Sequence, residues 1–219
     1  INPSFKYYRK INEGLSVARN YGVNKSHYNL VAFIDEDSVP DTLFAIKIIE
    51  TFKNSPDINC VGGSIDLLNT ENKFSYLLHN YILEPQMGNN NFVIGTNMAF
   101  RKDIIYHVGG FQPEFTYRGD ETAFIAKAGT SLKIMNNSMI RVKHSQPTSL
   151  SNWLQTRYEN GFFAAGITKL INHNFKKSKN RLSINILATI LMCILIVSLF
   201  ISSNVSLFIS ILLLFPLIY

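Results

Sequence analysis

The chain has 219 residues and a net charge of +6, long enough for one soluble α/β domain and a short membrane segment. It is 47% hydrophobic, but unevenly: residues 1 to about 180 have the mixed composition of a soluble domain, and the remainder of the chain is almost entirely apolar. Lys176, Lys177, Lys179 and Arg181 crowd directly before that apolar run, and no stripe of Arg interleaved with aromatics appears elsewhere, so the basic charge points to a membrane surface and away from nucleic acid.

In chain order, residues 7–22 read as an amphipathic helix closed by Gly22. The apolar run Leu30 to Ile34, bounded by polar residues, reads as a buried strand. Ser38-Val39-Pro40-Asp41 reads as a turn, with Asp41 capping a helix from about Thr42 to Lys53. Residues 59–63 form a second strand with a Gly break, and 74–84 a helix. A strand over 92–100 is interrupted by Gly95, and a short helix over 102–107 is ended by Gly109-Gly110. Glu121 to Ala128 is helical, 132–135 and 139–142 are short strands, and 149–170 is a helix or two. The alternation of helix and strand argues a mostly parallel sheet with helices on both faces.

Residues 184–201 carry no charge over a length that suits a transmembrane helix. Ser202-Ser203-Asn204 breaks the run, and 205–219 is apolar again. The basic cluster before residue 184 puts the preceding domain on the cytoplasmic side of the membrane. Two domains are therefore expected: a catalytic or binding domain over 1–180, and membrane segments over 181–219. The chain opens without Met and closes inside an apolar run, so a fragment is expected. Its two cysteines, Cys60 and Cys193, lie in different regions and suit neither a disulfide framework nor a zinc site.

The sharpest chemical feature is Asp35-Glu36-Asp37, directly after a buried strand. Strand alternation puts Asp35 and Asp37 on one side, where the carboxyl ends of parallel strands open onto the ligand crevice. Two carboxylates so placed repel each other unless a cation lies between them, and Mg²⁺ or Mn²⁺ completed by substrate phosphates is a standard solution. Taken alone, the triplet also reads as a solvated turn that caps the next helix. Asp120-Glu121 after Gly119 is an acidic pair at a helix start, which the helix dipole alone explains. Gly95-Thr96-Asn97 lets a ligand approach the backbone closely, or is an ordinary strand turn. His144 follows a short strand and taken alone reads as structural.

Order and spacing add to these readings. Gly14, Ala18, Arg19 and Asn20 are followed by Phe33-Ile34-Asp35-Glu36-Asp37, then Gly95-Thr96-Asn97-Met98-Ala99-Phe100-Arg101, then Gly109-Gly110-Phe111, then Asp120-Glu121, then His144. Over about residues 11–165 this series resembles the family 2 glycosyltransferases of the GT-A fold. The resemblance implies an α/β, Rossmann-like domain that moves a sugar from a nucleotide-diphosphate-sugar donor to a saccharide or lipid-linked acceptor, inverting the anomeric centre. The alternatives are another metal-dependent enzyme on nucleotide phosphates, such as a nucleotidyltransferase, and a non-catalytic membrane-tethered binding domain.

It also implies roles. Asp35 and Asp37 would hold a divalent cation, Mn²⁺ or Mg²⁺, and the donor diphosphate. His144 would join the metal. Arg19, Asn20 and Asn97 would line the donor side, and Glu121 or Asp120 would be the catalytic base. The acids stand here in the order Asp then Glu, the reverse of the family pair. Glu121 is favoured because Thr122 and the helix come directly after it. Processive members carry Gln-x-x-Arg-Trp, whereas this chain has Gln155-Thr156-Arg157-Tyr158, so a single-addition enzyme is expected. The family's first strand and nucleotide-base pocket would precede residue 1.

Overall fold

The computed structural model describes residues 6–80 and 92–171. Backbone contacts divide the chain into two units, Ile1–Ile167 and Thr168–Tyr219, and the first carries the sheet and the candidate residues. No helix among the described residues is long and apolar enough to cross a membrane. The apolar runs 184–201 and 205–219 lie outside the described residues.

Among the described residues five strands form one sheet: β1 (Leu30–Ile34), β2 (Ser38–Pro40), β3 (Cys60–Leu67), β4 (Asn97–Arg101) and β5 (Ile134–His144), in spatial order β1-β4-β3-β5-β2. The sheet is mixed rather than mostly parallel. Only β3 and β5 pair in parallel, while β1 with β4, β3 with β4, and β2 with β5 are antiparallel. The physical reason is the insertion of β4 between β1 and β3, two strands that run the same way. Alternating helices and strands specify element type but leave strand direction open, because each connection can return the chain on either course.

Helices cover both faces. On β4 the side chains alternate: Met98 and Phe100 join one buried cluster, and Ala99 joins the other. The first cluster gathers Phe100, Phe111, Phe124, Ile104, Ile105 and Val23 from β4, α4 (Lys102–Val108), α5 (Asp120–Ala128), α1 (Leu15–Lys25) and the turn after α4. The second packs Phe44, Ile48 and Phe52 of α2 (Phe44–Asn54) on Val61, Ile140 and Val142. Those α2 positions fall at helical spacing, which makes that helix readable in the sequence.

α1 differs from its expectation. It starts at Leu15 rather than residue 7, runs past Gly22, and buries Ser16, Arg19 and Val23, a mostly polar stripe. Its start is pinned from outside. Leu15 N–H donates to Thr116 O at 2.7 Å, and Ser16 Oγ donates to Phe115 O at 2.8 Å. Gly14 precedes it at φ +93°, and a Cβ there would sit 2.6 Å from Thr116 Cα. Hydrogen bonds to the 115–116 loop, rather than an apolar face, therefore dock this helix and aim Arg19 inward.

The remaining differences are local. Residues 38–40, expected as a turn, form an edge strand, and Pro40 is tolerated there because an edge leaves one row of N–H groups unneeded. The strand expected from residue 92 begins at Asn97, after a turn in which Asn97 N–H donates to Ile94 O. The two short strands expected over 132–142 are one strand with a bulge: Gly63 faces Asn137 and Ser64 faces Arg141. α3 (Lys73–Leu78), a 3-10 turn over Gly129–Ser131 and α6 (Leu150–Ile171) complete the described elements.

Candidate active site

β1 stops at Ile34, and Asp35-Glu36-Asp37 is a tight turn closed by Ser38 N–H on Asp35 O at 3.1 Å. A turn, not strand alternation, therefore sets how the two aspartates face. The chain leaves it as β2, whose antiparallel register puts Ser38 opposite His144. That register delivers the histidine: His144 Nε2 lies 3.2 Å from Asp37 Oδ2. One donor atom each from Asp35, Asp37 and His144 lie within 4.8 Å of one another. Thr96 Oγ1 donates to Asp35 Oδ2 at 2.8 Å and orients that carboxylate. Gln146 Nε2 lies 3.3 Å from His144 Nδ1, on the ring nitrogen facing away from the aspartates.

Two carboxylate oxygens and one imidazole nitrogen, with Asp37 largely exposed, form a three-point donor set that is open to solvent. Such a set fits a divalent cation of the Mn²⁺ or Mg²⁺ kind, with the remaining positions free for water or phosphate oxygens. With a cation on Nε2, the ring proton belongs on Nδ1 and needs an acceptor, which Gln146 supplies once its amide turns over to put the oxygen where Nε2 now lies.

The second acidic stretch opens α5. Asp120 is fully buried, and Glu121 is mostly so. Burial, reinforced by the neighbouring Asp120 carboxylate, pushes the Glu121 carboxyl up to about 7. Asp120 Oδ1 meets no hydrogen-bond donor among the described residues, while Oδ2 is ion-paired with Arg19.

Arg19 joins the two stretches. Its guanidinium is almost wholly buried, with Nη1 on Asp120 and Nη2 3.5 Å from Asp35 Oδ1 and 3.4 Å from Gly95 O. Phe33 and Phe111 flank it, each ring centroid 5.7 Å from Cζ. A Cβ on residue 95 would lie 2.9 Å from Arg19 Nη2 and 3.5 Å from a Glu121 oxygen, so the bare Gly95 backbone is what leaves room for the network. The acids at 35 and 120 therefore meet across one positive charge.

The two asparagines expected on the donor side are engaged with the framework. Asn20 donates from Nδ2 to Phe111 O at 2.7 Å and accepts Phe111 N–H on Oδ1 at 2.8 Å, clamping the turn after α4. Asn97 is buried and donates from Nδ2 to Ser64 O and Ile140 O, bracing β3 against β5 where their register shifts. Arg101, the last residue of the Gly95–Arg101 motif, bonds Phe52 O in α2 and Ile58 O in the loop after it, and stacks on Phe52. Sequence reasoning missed Thr96 and Gln146. A signal for Thr96 exists, since a hydroxyl beside a glycine in a site motif is a ready orienter. Nothing local marks Gln146, whose relevance comes from the strand that carries His144.

Known proteins resemble this chain. The model of Glycosyl transferase family 2 matches residues 1–109. The glucosyl-dolichyl phosphate glucuronosyltransferase of Haloferax volcanii is 22% identical over 152 residues, covering 65% of this chain and 49% of that protein. The chain thus spans about half the length of the curated relative it matches. Among solved structures, the mannosyltransferase PcManGT from Pyrobaculum calidifontis, in complex with GDP-Man and Mn²⁺, aligns over 63% of this chain and 38% of its own, at 15% identity and a TM-score of 0.44. GalNAc-T7 with UDP, GalNAc and Mn²⁺ aligns over 64% of this chain and 32% of its own, at 14% identity and a TM-score of 0.49. The family match runs through the segments that carry Arg19, Asp35, Asp37 and Gly95, the very groups that converge in the site, and over residues 1–109 the chain is similar to glycosyl transferase family 2.

Proposed function

We propose that the protein is an inverting, cation-dependent glycosyltransferase that moves a sugar from a nucleotide-diphosphate-sugar donor to a saccharide or lipid-linked acceptor at a membrane. The observation that supports it most is the Arg19 bridge, which brings the 35–37 turn and the acidic pair of α5 into one site. A divalent cation held by Asp35, Asp37 and His144 would engage the donor diphosphate and offset the charge that develops on it as the glycosidic bond breaks.

The chain's own residues do the rest. Glu121 takes the proton from the acceptor hydroxyl, because a carboxyl near 7 is poised to hold or release a proton at neutral pH. Asp120 is sealed from solvent and committed to Arg19, so it shapes the charge around Glu121 and does not reach an acceptor. Thr96 fixes the orientation of Asp35, and Asn20 and Asn97 hold the framework. The lipid-linked acceptor is suggested by the Haloferax relative and by the apolar C-terminal run. The basic residues before that run favour a cytoplasmic-face location at the inner membrane.

The test is product analysis on the full-length protein in membranes, offered nucleotide-sugars, Mn²⁺ and lipid-phosphate acceptors. Release of nucleoside diphosphate together with a glycosylated acceptor is expected. Release of pyrophosphate, or no transfer to any saccharide or lipid acceptor, would overturn the reading.

A further inference from the structure

The two contacts of Arg19 are unequal. One arm makes a close ion pair with Asp120, a carboxylate with no access to solvent. The other reaches Asp35 at 3.5 Å, longer than a good charge-assisted hydrogen bond, and that aspartate is partly exposed. A buried carboxylate stripped of its counter-charge is costly, so the first contact is needed in every state. An ion pair at that distance, with its carboxylate open to solvent, is the weaker of the two, so the second is the more readily exchanged. The guanidinium cannot drift to follow either partner, because Phe33 and Phe111 flank it and Gly95 O accepts from Nη2.

We infer that Arg19 is a positioning residue with a permanent partner, Asp120, and a provisional one, Asp35, and that it stands in as the counter-charge of Asp35 until a divalent cation takes that role. The inference rests on the reading of Asp35, Asp37 and His144 as a cation site. In the empty site Arg19 prevents the acids at 35 and 120 from repelling the 35–37 turn away from α5. In the filled site the cation binds against a competing positive charge, which keeps its affinity moderate while the spacing between Glu121 and the donor side stays set.

Arg19→Lys separates these roles. An ammonium keeps the charge that Asp120 needs but lacks the second arm of the fork. Mn²⁺ affinity, measured by calorimetry or by Mn²⁺ electron paramagnetic resonance without donor, is expected to tighten about threefold to fivefold, the worth of one weak ion pair removed from Asp35. In the same variant kcat is expected to fall at least about tenfold, because the acid pair is no longer held at a fixed distance from the cation. A merely structural role predicts the opposite for the metal: affinity would weaken along with Tm.

Should Arg19→Lys fold poorly, the double variant Arg19→Gln with Asp120→Asn replaces the buried pair by neutral amides, and the same tightening is expected. Unchanged or weaker Mn²⁺ binding in a variant that keeps its Tm overturns the inference while leaving the proposed function standing. Absence of any Mn²⁺ binding by the wild-type protein overturns the reading of the site itself, and this inference with it.

Discussion

At the residue scale the two acids of α5 are neighbours in sequence with opposite circumstances. Asp120 has a guanidinium partner and no solvent, whereas Glu121 has a like charge beside it and a carboxyl raised to about 7. A raised carboxyl binds more protons in the folded state than in the unfolded one. Stability should therefore fall as pH rises from the ordinary carboxylate range toward about 7 and flatten above it, by up to about 3 kcal/mol for a shift of this size. Glu121→Gln removes the charge and should flatten that slope, leaving the variant more stable than wild type at pH 8 in urea titrations. The same substitution should cut kcat by roughly 10²- to 10⁴-fold with cation affinity unchanged, as expected for loss of a general base. In the wild type, transfer should rise with pH through about 7 as Glu121 ionises. A rate that is flat from pH 6 to 8, or a Glu121→Gln variant with near-normal kcat, would assign the base elsewhere.

At the element scale, the site depends on one short strand. β2 is only three residues long, yet its register with β5 is what brings His144 to Asp37. Much of this is legible in the sequence and some is not, for identifiable reasons. α2 shows itself through apolar spacing at Phe44, Ile48 and Phe52, and β1 through an uninterrupted apolar run. The start of α1 escapes because its buried face is Ser16, Arg19 and Val23, and a helix docked by hydrogen bonds leaves little hydrophobic periodicity to read. β2 reads as a turn because an edge strand containing Pro lacks the usual composition. The candidate residues at 35, 37, 120, 121 and 144 can be singled out from motif order, but not the bridge between them, since long-range contacts of Arg19 leave no trace in local spacing. Gln146, positioned behind His144 by the end of β5, carries the prediction at this scale. Gln146→Ala should leave the fold intact and weaken Mn²⁺ binding about tenfold, because the outer partner of a ligating histidine fixes its ring and tautomer. Unaltered affinity in calorimetry would mean that Gln146 does not support His144 as a ligand.

At the scale of the whole molecule, the sheet separates two cores with different duties. On one face Phe33, Phe100, Phe111 and Phe124 pack ring to ring, with centroids 4.8 to 6.2 Å apart. Two of those rings also flank Arg19, so this core is the floor of the site. On the other face Phe52 packs with Phe44, Ile48 and Val142, and the cation stacked on its ring is Arg101, a residue outside the site. Both phenylalanines are nearly inaccessible, Phe111 at 1% and Phe52 at 3% exposure, so shortening either costs packing of similar kind. Phe111→Leu and Phe52→Leu should each destabilise by about 1–3 kcal/mol in denaturant titrations, the range for imperfectly refilled core sites. Their effects on activity should diverge. Phe111 is clamped by Asn20 and holds one side of the guanidinium, so its loss should loosen Arg19 and lower kcat severalfold at a temperature where both variants stay folded. Phe52 lies across the sheet from Arg19, and effects of well-separated sites are close to independent, so kcat should hold near the wild-type value. Equal losses of activity in the two variants would show that the site follows global stability and that the aromatic floor has no particular role in aiming Arg19.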